Sequence, residues 1–219
     1  MEPDMQGIDQ ASHCAAPTNR RLTVRDLWRQ IFEDWETHER EWSRPGFRAV
    51  ALHRFGVWRM QLQPRIVRAP FSVVYKFLFR YVRNHYGIEL PYTVALGRRV
   101  VIEHQHGIVI HAYSVIGDDC IIRHGVTIGN RYMDRPLDTP TIGCRVNIGA
   151  GAQLLGDITI GDDVNIGANS VVLCSVPSNQ TVAGIPAKVI KRTVVVPKWE
   201  VNLRLFGLSS FAGGEKKLK

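Results

Sequence analysis

Four histidines lie close together in the chain and offer two kinds of chemistry. They are His104, His106, His111 and His124. An imidazole exchanges a proton near neutral pH, and it is also the commonest metal ligand in proteins. The four cysteines, by contrast, are widely scattered, and no pair of them has the spacing of a zinc site. No serine or cysteine lies in a recognisable nucleophile motif, so the sequence does not indicate covalent catalysis.

A repeat with a period of six residues must position these side chains. Aliphatic residues recur at every sixth position, and glycine directly follows several of them. This period fits neither a helix nor simple strand alternation, and it indicates one short strand and one turn stacked many times. Small residues let the backbone turn where a Cβ atom would clash. The repeat therefore predicts a parallel β-helix with three units in each triangular coil. The aliphatic positions are Leu96, Ile102 and Ile108; then, two residues out of phase, Ile110, Ile116, Ile122 and Ile128; and finally Ile142, Ile148, Leu154, Ile160, Ile166 and Val172.

A polar segment interrupts the repeat between Ile128 and Ile142. The segment from Asn130 to Pro140 is rich in charged residues and contains two prolines. We interpret it as a loop that projects from the coil. Such a loop is either a tolerated insertion or a functional element, and rigid scaffolds commonly carry their sites on loops.

The composition is that of a basic globular chain. The net charge is +8 and the pI is about 9.6. This charge suits an anionic partner such as nucleic acid, a membrane surface, an acidic polymer or a phosphate-bearing cofactor, but it also serves simple solubility. No apolar run approaches the length of a membrane span, and the N-terminus lacks the pattern of a signal peptide. We therefore expect a cytoplasmic protein.

The chain divides into four expected segments. Residues 1–20 are polar and aperiodic, which predicts a disordered tail. Residues 21–88 are predicted to be helical, residues 89–192 to form the β-helix, and residues 193–219 to be a C-terminal tail. The helical segment would cover one open end of the β-helix, where unpaired strand edges are otherwise exposed.

Three helices are expected in the N-terminal segment. Thr23 can cap a helix that runs to about Trp42. A second helix is predicted over about 47–62, and a third from Pro70 to about Tyr86, with Gly87 as its stop. The third helix is rich in basic residues, which indicates either a solvated charged face or a helix that lies on a membrane surface.

The repeat, the interrupting loop and the segment from Ala183 to Lys188 resemble the left-handed β-helix acyltransferases, and within them the serine acetyltransferase family. The resemblance covers about two thirds of the chain. It implies a left-handed parallel β-helix, a homotrimer with active sites between neighbouring β-helices, and acetyl-CoA as the acyl donor. We expect no nucleic-acid partner and no metal.

The resemblance also implies roles for particular residues. His104 matches the family's general base, and Glu89 takes the place of the aspartate that orients it. Glu103 matches a substrate-binding aspartate. The coenzyme arm would lie along small residues, with Lys188 near the coenzyme phosphates. The positions assigned to coenzyme binding are Gly149, Ala150, Gly167, Ala168, Gly184 and Lys188.

The loop departs from the family pattern. The serine acetyltransferases hold their substrate with an Asp-Arg-His triplet, and the matching positions here are Leu137, Asp138 and Thr139. An arginine suited to a planar carboxylate is thus replaced by an acid. Arg131 and Arg135 are further candidates for acceptor binding. The chain ends in Lys219, whereas the family's tail ends in isoleucine and docks into cysteine synthase, so we do not expect that complex.

Four hypotheses follow. The first is an O-acetyltransferase that modifies a sugar of a surface polysaccharide or its lipid-linked precursor, with peripheral membrane contact. The second is a serine O-acetyltransferase in cysteine biosynthesis. The third is a β-helix scaffold without catalysis. The fourth resembles the β-helical carbonic anhydrases, with zinc held between subunits by His104, His106 and His124.

Overall fold

A computed structural model describes residues 22–190 of the chain. The tails expected at 1–20 and 193–219 lie outside the described residues. Three helices come first: α1 (Val24–Thr37), α2 (Pro45–Met60) and α3 (Arg65–Tyr86). The strands follow, and their bounds are β1 (Ile88–Glu89), β2 (Ala95–Leu96), β3 (Val101–Glu103), β4 (Ile108–Ile110), β5 (Val115–Ile116), β6 (Ile121–Arg123), β7 (Thr127–Gly129), β8 (Thr141–Ile142), β9 (Asn147–Ile148), β10 (Gln153–Leu155), β11 (Thr159–Ile160), β12 (Asn165–Ile166), β13 (Val171–Val172), β14 (Thr181–Ala183) and β15 (Lys188–Ile190).

The strands form three sheets that the chain visits in rotation. Sheet A contains β1, β4, β7, β10 and β13; sheet B contains β2, β5, β8 and β11; sheet C contains β3, β6, β9, β12, β14 and β15. Paired strands are parallel, except that β15 runs antiparallel to β14. Three successive strands therefore make one triangular coil. The predicted fold, mostly β with a helical N-terminal segment and a parallel β-helix, is confirmed.

The aliphatic residues of the repeat stack inside the coils. In sheet C, Ile102, Ile122, Ile148 and Ile166 are aligned in register and all are buried. Burying one such side chain stabilises a fold by about 1.5–3 kcal/mol. Each coil also pairs its backbone with the coils before and after it, so unpaired strand edges arise only at the two ends of the solenoid.

The helices begin and end close to signals in the sequence, with two exceptions. The predicted end of the first helix at about Trp42 is wrong, because α1 ends at Thr37 and the backbone of Glu39 and Arg40 has positive φ. The predicted Thr23 cap is confirmed, because its hydroxyl accepts the Asp26 N–H at 3.2 Å and the Asp26 carboxylate accepts the Thr23 N–H at 2.9 Å. The predicted start of the third helix at Pro70 is wrong, because α3 begins at Arg65. Pro70 lacks an N–H for the carbonyl of Ile66, but Ile66 is highly exposed, so water can satisfy that carbonyl.

The helices cover the open edge of the first coil. A Cβ atom at Gly46, in the first turn of α2, would lie 2.0 Å from the carbonyl oxygen of Ile102, so this approach requires glycine. The N–H of Ile102 has no strand above it and donates to His38 Nε2 at 3.3 Å. His38 Nδ1 therefore carries the proton and donates to the carbonyl of Asp34 at 2.6 Å. Burial lowers the pKa of His38, in keeping with this neutral tautomer.

Arg54 provides hydrogen-bond donors for backbone carbonyls at the same edge. Its guanidinium donates to the carbonyls of Leu96 at 2.9 Å and Gly97 at 2.5 Å, and it forms a buried ion pair with Asp34 at 2.9 Å. The neighbouring His53 donates from Nε2 to the carbonyl of Val94 at 3.0 Å. Burial lowers the pKa of His53 to about 3. Its Nδ1 is buried without a hydrogen-bond partner in the described part of the chain, so a second proton there would have no acceptor.

Because these histidines are buried in their neutral form, we expect the protein to become less stable as the pH decreases. His53 stays neutral in the folded state down to about pH 3, whereas an unfolded histidine protonates near pH 6.5. Protonation of the unfolded chain therefore lowers the free energy of unfolding as the pH falls below about 6.5, and His53 accounts for about 2 kcal/mol of this loss between pH 7 and pH 5. Urea unfolding at the two pH values measures this loss.

His53→Gln keeps a donor for Val94 and should reduce the pH-dependent loss by about 2 kcal/mol, although its stability at pH 7 will be lower. His85→Gln, on the exposed face of α3, is the matched control and should leave the pH dependence unchanged. An identical loss between pH 7 and pH 5 in His53→Gln and in the unaltered protein would contradict the role of His53.

Candidate active site

Each coil has three corners, and each corner carries a different chemistry. We call the turns between sheets C and A the histidine corner (residues 104–107, 124–125, 150–151 and 168–169). The turns between sheets A and B include the long loop, and we call this the loop corner (130–140). The turns between sheets B and C form the arginine corner, which consists of Arg99, Asp119, Arg145 and Asp163.

At the histidine corner, equivalent positions of successive coils form a column that begins at His106. The N–H groups of Gly125, Gly151 and Asn169 donate to the carbonyls of His106, His124 and Ala150, and the register of sheet C continues the column to Ala168 and Gly184. The column therefore passes from two imidazoles to three small residues. Three of the residues assigned to coenzyme binding thus share one corner with the assigned base. Their lack of long side chains leaves room for an extended ligand along the column.

The glycines that precede these alanines have a structural reason of their own. A Cβ atom at Gly149 would lie 2.5 Å from the backbone nitrogen of Ala168, and one at Gly167 would lie 2.8 Å from the Cβ of Ala183. Glycine is thus required at both positions by the close stacking of coils. Lys188 lies further along, exposed on β15.

The first coil has two extra residues at the histidine corner. Ile102 pairs with Ile122, and Ile110 pairs with Ile128, so eight residues in the first coil match six in the second. This insertion accounts for the phase shift in the sequence. It places His104 and His106 on exposed backbone with φ of 68° and 76°. Non-glycine residues seldom adopt positive φ, and such strained positions cluster at functional sites.

The ring of His104 lies against the ring of His124 from the next coil. The two ring centroids are 5.6 Å apart in an edge-to-face arrangement. Immediately beside them, Glu103 forms an ion pair with Arg123 at 2.9 Å, and Arg123 also donates to the amide oxygen of Asn147. Glu103, assigned to substrate binding, thus lies next to His104 with its charge already paired.

Glu89 lies on the neighbouring sheet A. Its backbone pairs with Val109, and its side chain lines a groove of about 390 Å³ on the outer face of that sheet. The groove extends from Phe79 of α3 to His111 and Asn130 at the loop corner. In the described part of the chain no hydrogen bond joins Glu89 to His104, so the contact between them stays a prediction. Catalytic hydrogen bonds often tighten only when substrate is bound.

The loop corner holds the remaining residues assigned to the acceptor. The guanidinium groups of Arg131 and Arg135 lie over the ring of Tyr132, at 5.2 Å and 6.0 Å from its centroid. Arg135 also lies 3.9 Å from the carboxylate of Asp138. Thr139 is buried at the base of the loop, which leaves its side chain inaccessible to an acceptor. Because the loop and His104 occupy different corners, a single chain does not bring them together.

Two site neighbours, His124 and His111, were not assigned a role in acetyl transfer from the sequence, although His124 was a zinc ligand in the fourth hypothesis. His124 follows His104 by the same interval that separates Ile122 from Ile102, so the coil register could have paired the two histidines. His111 lines the groove with Glu89 only because sheets A and B meet there, and no local pattern reveals this. Among the described residues, no three histidine, cysteine or acidic side chains converge to hold a metal ion.

Comparison with known proteins agrees with this architecture. The family model described as "Bacterial transferase hexapeptide (six repeats)" matches residues 139–174. The putative colanic acid biosynthesis acetyltransferase WcaB of Escherichia coli K12 is 44% identical over 138 residues, which are 63% of this chain and 83% of that protein. The chain belongs to the hexapeptide-repeat acyltransferases.

Other members of the hexapeptide-repeat acyltransferases are similarly related. The serine acetyltransferase of Synechococcus elongatus is 41% identical over 151 residues, or 69% of this chain, and the match spans only 59% of that enzyme. Among solved structures, the serine acetyltransferase of Brucella abortus in complex with coenzyme A has a TM-score of 0.65 and 30% identity, covering 78% of this chain and 70% of that one.

Proposed function

We propose that this chain is an acetyl-CoA-dependent O-acetyltransferase with His104 as the general base. The observation that carries the proposal is the position of His104. It is exposed on the enlarged corner of the first coil, and its ring contacts His124, which stands in a column with small residues that can receive the coenzyme arm. Membership of a family whose relatives are acetyltransferases supports the same activity.

The chemistry needs one proton carrier and no acyl-enzyme. His104 removes the proton from an acceptor hydroxyl as its oxygen attacks the thioester carbonyl. The tetrahedral intermediate then collapses, the carbon–sulfur bond breaks, and the thiolate of coenzyme A takes the proton back from the imidazolium. Glu89 would fix the tautomer of His104 and stabilise that imidazolium, once substrate brings the two together. General-base catalysis of this kind contributes about 10²- to 10⁴-fold in rate.

We further propose a sugar hydroxyl as the acceptor. The acid Asp138 stands at the loop position where the serine acetyltransferases have the arginine that would hold a carboxylate, and Arg135 is shared between Tyr132 and Asp138. A groove lined by Glu89, His111 and Asn130 offers hydrogen-bonding groups suited to hydroxyls. The similarity to a protein described as a colanic acid biosynthesis acetyltransferase supports this acceptor.

L-Serine is the second candidate acceptor, and the comparisons favour it at least as strongly. Relatives from Synechococcus elongatus and Mycobacterium tuberculosis, at 41% and 38% identity, are serine acetyltransferases. The chemistry of the loop is what distinguishes the two candidates. A homotrimer, in which the loop of one chain faces the histidine corner of the next, would complete the site for either acceptor.

An acceptor panel tests the proposed reaction. Release of coenzyme A from acetyl-CoA by the purified chain should saturate with an oligosaccharide or nucleotide sugar and stay at background with L-serine.

Arg131→Ala/Arg135→Ala should raise the acceptor KM by about tenfold or more with little change in the KM for acetyl-CoA, since charge-assisted hydrogen bonds typically contribute about 1.5–3 kcal/mol. Saturable turnover with serine alone would overturn the sugar assignment.

Replacement of the proposed base provides a second test. His104→Ala should lower kcat by about 10²-fold or more, because the acceptor hydroxyl would lose its proton acceptor. Its exposed side chain makes few contacts, so the melting temperature should change little. His106→Ala, two residues along the same exposed corner, is the matched control and should retain most of the activity. Equal loss in both variants would indicate a damaged corner rather than a missing base.

A further inference from the structure

Helix α3 exposes an apolar ridge along the side that faces away from the β-helix. The ridge consists of Ile66, Val73, Phe77 and Tyr81, which recur at intervals of seven and four residues and so lie on one helical face. Ile66 is 84% exposed, Phe77 72% and Val73 68%. Large apolar side chains in such a row, without cover, mark a surface that binds a partner.

The opposite face of α3 anchors the helix to the first coil. Tyr75, Val82 and Tyr86 are buried there. The hydroxyl of Tyr75 accepts the N–H of Tyr92 at 3.1 Å, and Gly56 of α2 packs against the ring of Tyr75. The orientation of α3 is therefore fixed by the core. Because the helix cannot rotate about its axis, the ridge stays exposed.

Uncompensated positive charge flanks the ridge. Arg65, Lys76, Arg80 and Arg83 are all exposed and lie on one side of it. None of them forms an ion pair among the described residues, and α3 contains no aspartate or glutamate at all. The basic residues of α3 are thus solvated, and an exposed apolar ridge lies beside them.

The apolar surface continues onto α2. Leu78 borders a shallow groove of about 450 Å³ that also contains Phe55, Trp42 and Phe47. The ridge and the groove together present aromatic and aliphatic side chains beside a basic row. That combination is typical of a helix that lies in the interface of an anionic bilayer. No helix in the described range 22–190 is long and apolar enough to cross a membrane.

We propose that this face of α3 docks the protein onto the surface of a lipid bilayer that contains anionic lipids. The apolar ridge would enter the headgroup boundary, and the basic row would pair with lipid phosphates. A second copy of the same face is a poorer occupant, because two such helices would bring eight unpaired cations together without an acidic partner. The inference does not depend on the identity of the acceptor.

The docking face is separate from the site. Phe79 stacks on Tyr75, on the anchored side of the helix, and it lines the groove that contains Glu89 and His111. Because residues two apart do not share a helical face, Phe77 of the ridge and Phe79 of the groove lie on different sides of α3.

Vesicle flotation with the purified full chain tests the proposal. The protein should float with vesicles that contain about 30 mol% phosphatidylglycerol, bind phosphatidylcholine vesicles much more weakly, and dissociate at high salt. Lys76→Gln/Arg80→Gln should weaken the partitioning by about tenfold or more, since each basic residue near an anionic surface contributes a roughly fivefold gain. Val73→Ser/Phe77→Ser should have an effect of similar size.

Arg25→Gln/Arg29→Gln, on the exposed part of α1, removes the same net charge elsewhere and should leave vesicle binding within about twofold. Unchanged melting temperatures would show that the variants fold. Absence of flotation at low salt would overturn the proposal, as would equal flotation of all variants. A lower oligomeric mass of Val73→Ser/Phe77→Ser without lipid, measured by sedimentation, would instead assign the face to self-association and also overturn it.

Discussion

The fold depends on how the unpaired edge of the first coil is capped. A β-helix satisfies its backbone groups by stacking coil upon coil, so the first coil has an edge with no strand above it. His38 accepts the Ile102 N–H, and Arg54 donates to the carbonyls of Leu96 and Gly97. Asp34 holds Arg54 by a buried ion pair. Removing one partner of such a pair typically costs about 3–5 kcal/mol, because the other charge stays buried.

That cap determines where chemistry can take place. The first coil bears both Glu89 and His104, and Gly87 lies against the backbone of His106. The helices that satisfy the edge therefore also fix the enlarged corner and the groove beside it. The arginine corner is separate and mainly electrostatic: Arg99 pairs with Asp119 at 2.6 Å and Arg145 with Asp163 at 2.7 Å. Hydrogen bonds from these arginines hold the pKa values of both aspartates below their usual range.

Much of the architecture could be predicted from the sequence, because a period of six has few structural solutions. The aliphatic column from Ile102 to Ile166 and the loop after Ile128 are both visible as spacing alone. The start of α3 was not predictable in this way. A proline is usual in the first turn of a helix, yet Pro70 lies in the second turn, where the exposure of Ile66 gives water access to the carbonyl that lacks an N–H donor.

The site was predictable only in part. The phase shift before Ile110 showed that the six-residue repeat is interrupted near His104. Only the strand register shows that the interruption is an insertion of two residues at that corner. The groove around Glu89 depends on side chains from α3, two sheets and the loop corner, and contacts at such distances leave no periodic signal. The outward direction of Phe77 likewise follows from the anchoring of Tyr75 in the core, which composition alone does not reveal.

The proposed active site combines the histidine corner of one chain with the loop corner of a neighbouring chain. Co-expression of His104→Ala with Arg131→Ala/Arg135→Ala, each with a different affinity tag, allows mixed assemblies to be purified through both tags. In a mixed trimer one of the three sites regains an intact corner and an intact loop. We expect about a third of the unaltered protein's acetyl transfer at low acceptor concentration, although each variant alone is nearly inactive. Mixed assemblies no more active than the average of the two variants would contradict a site shared between chains.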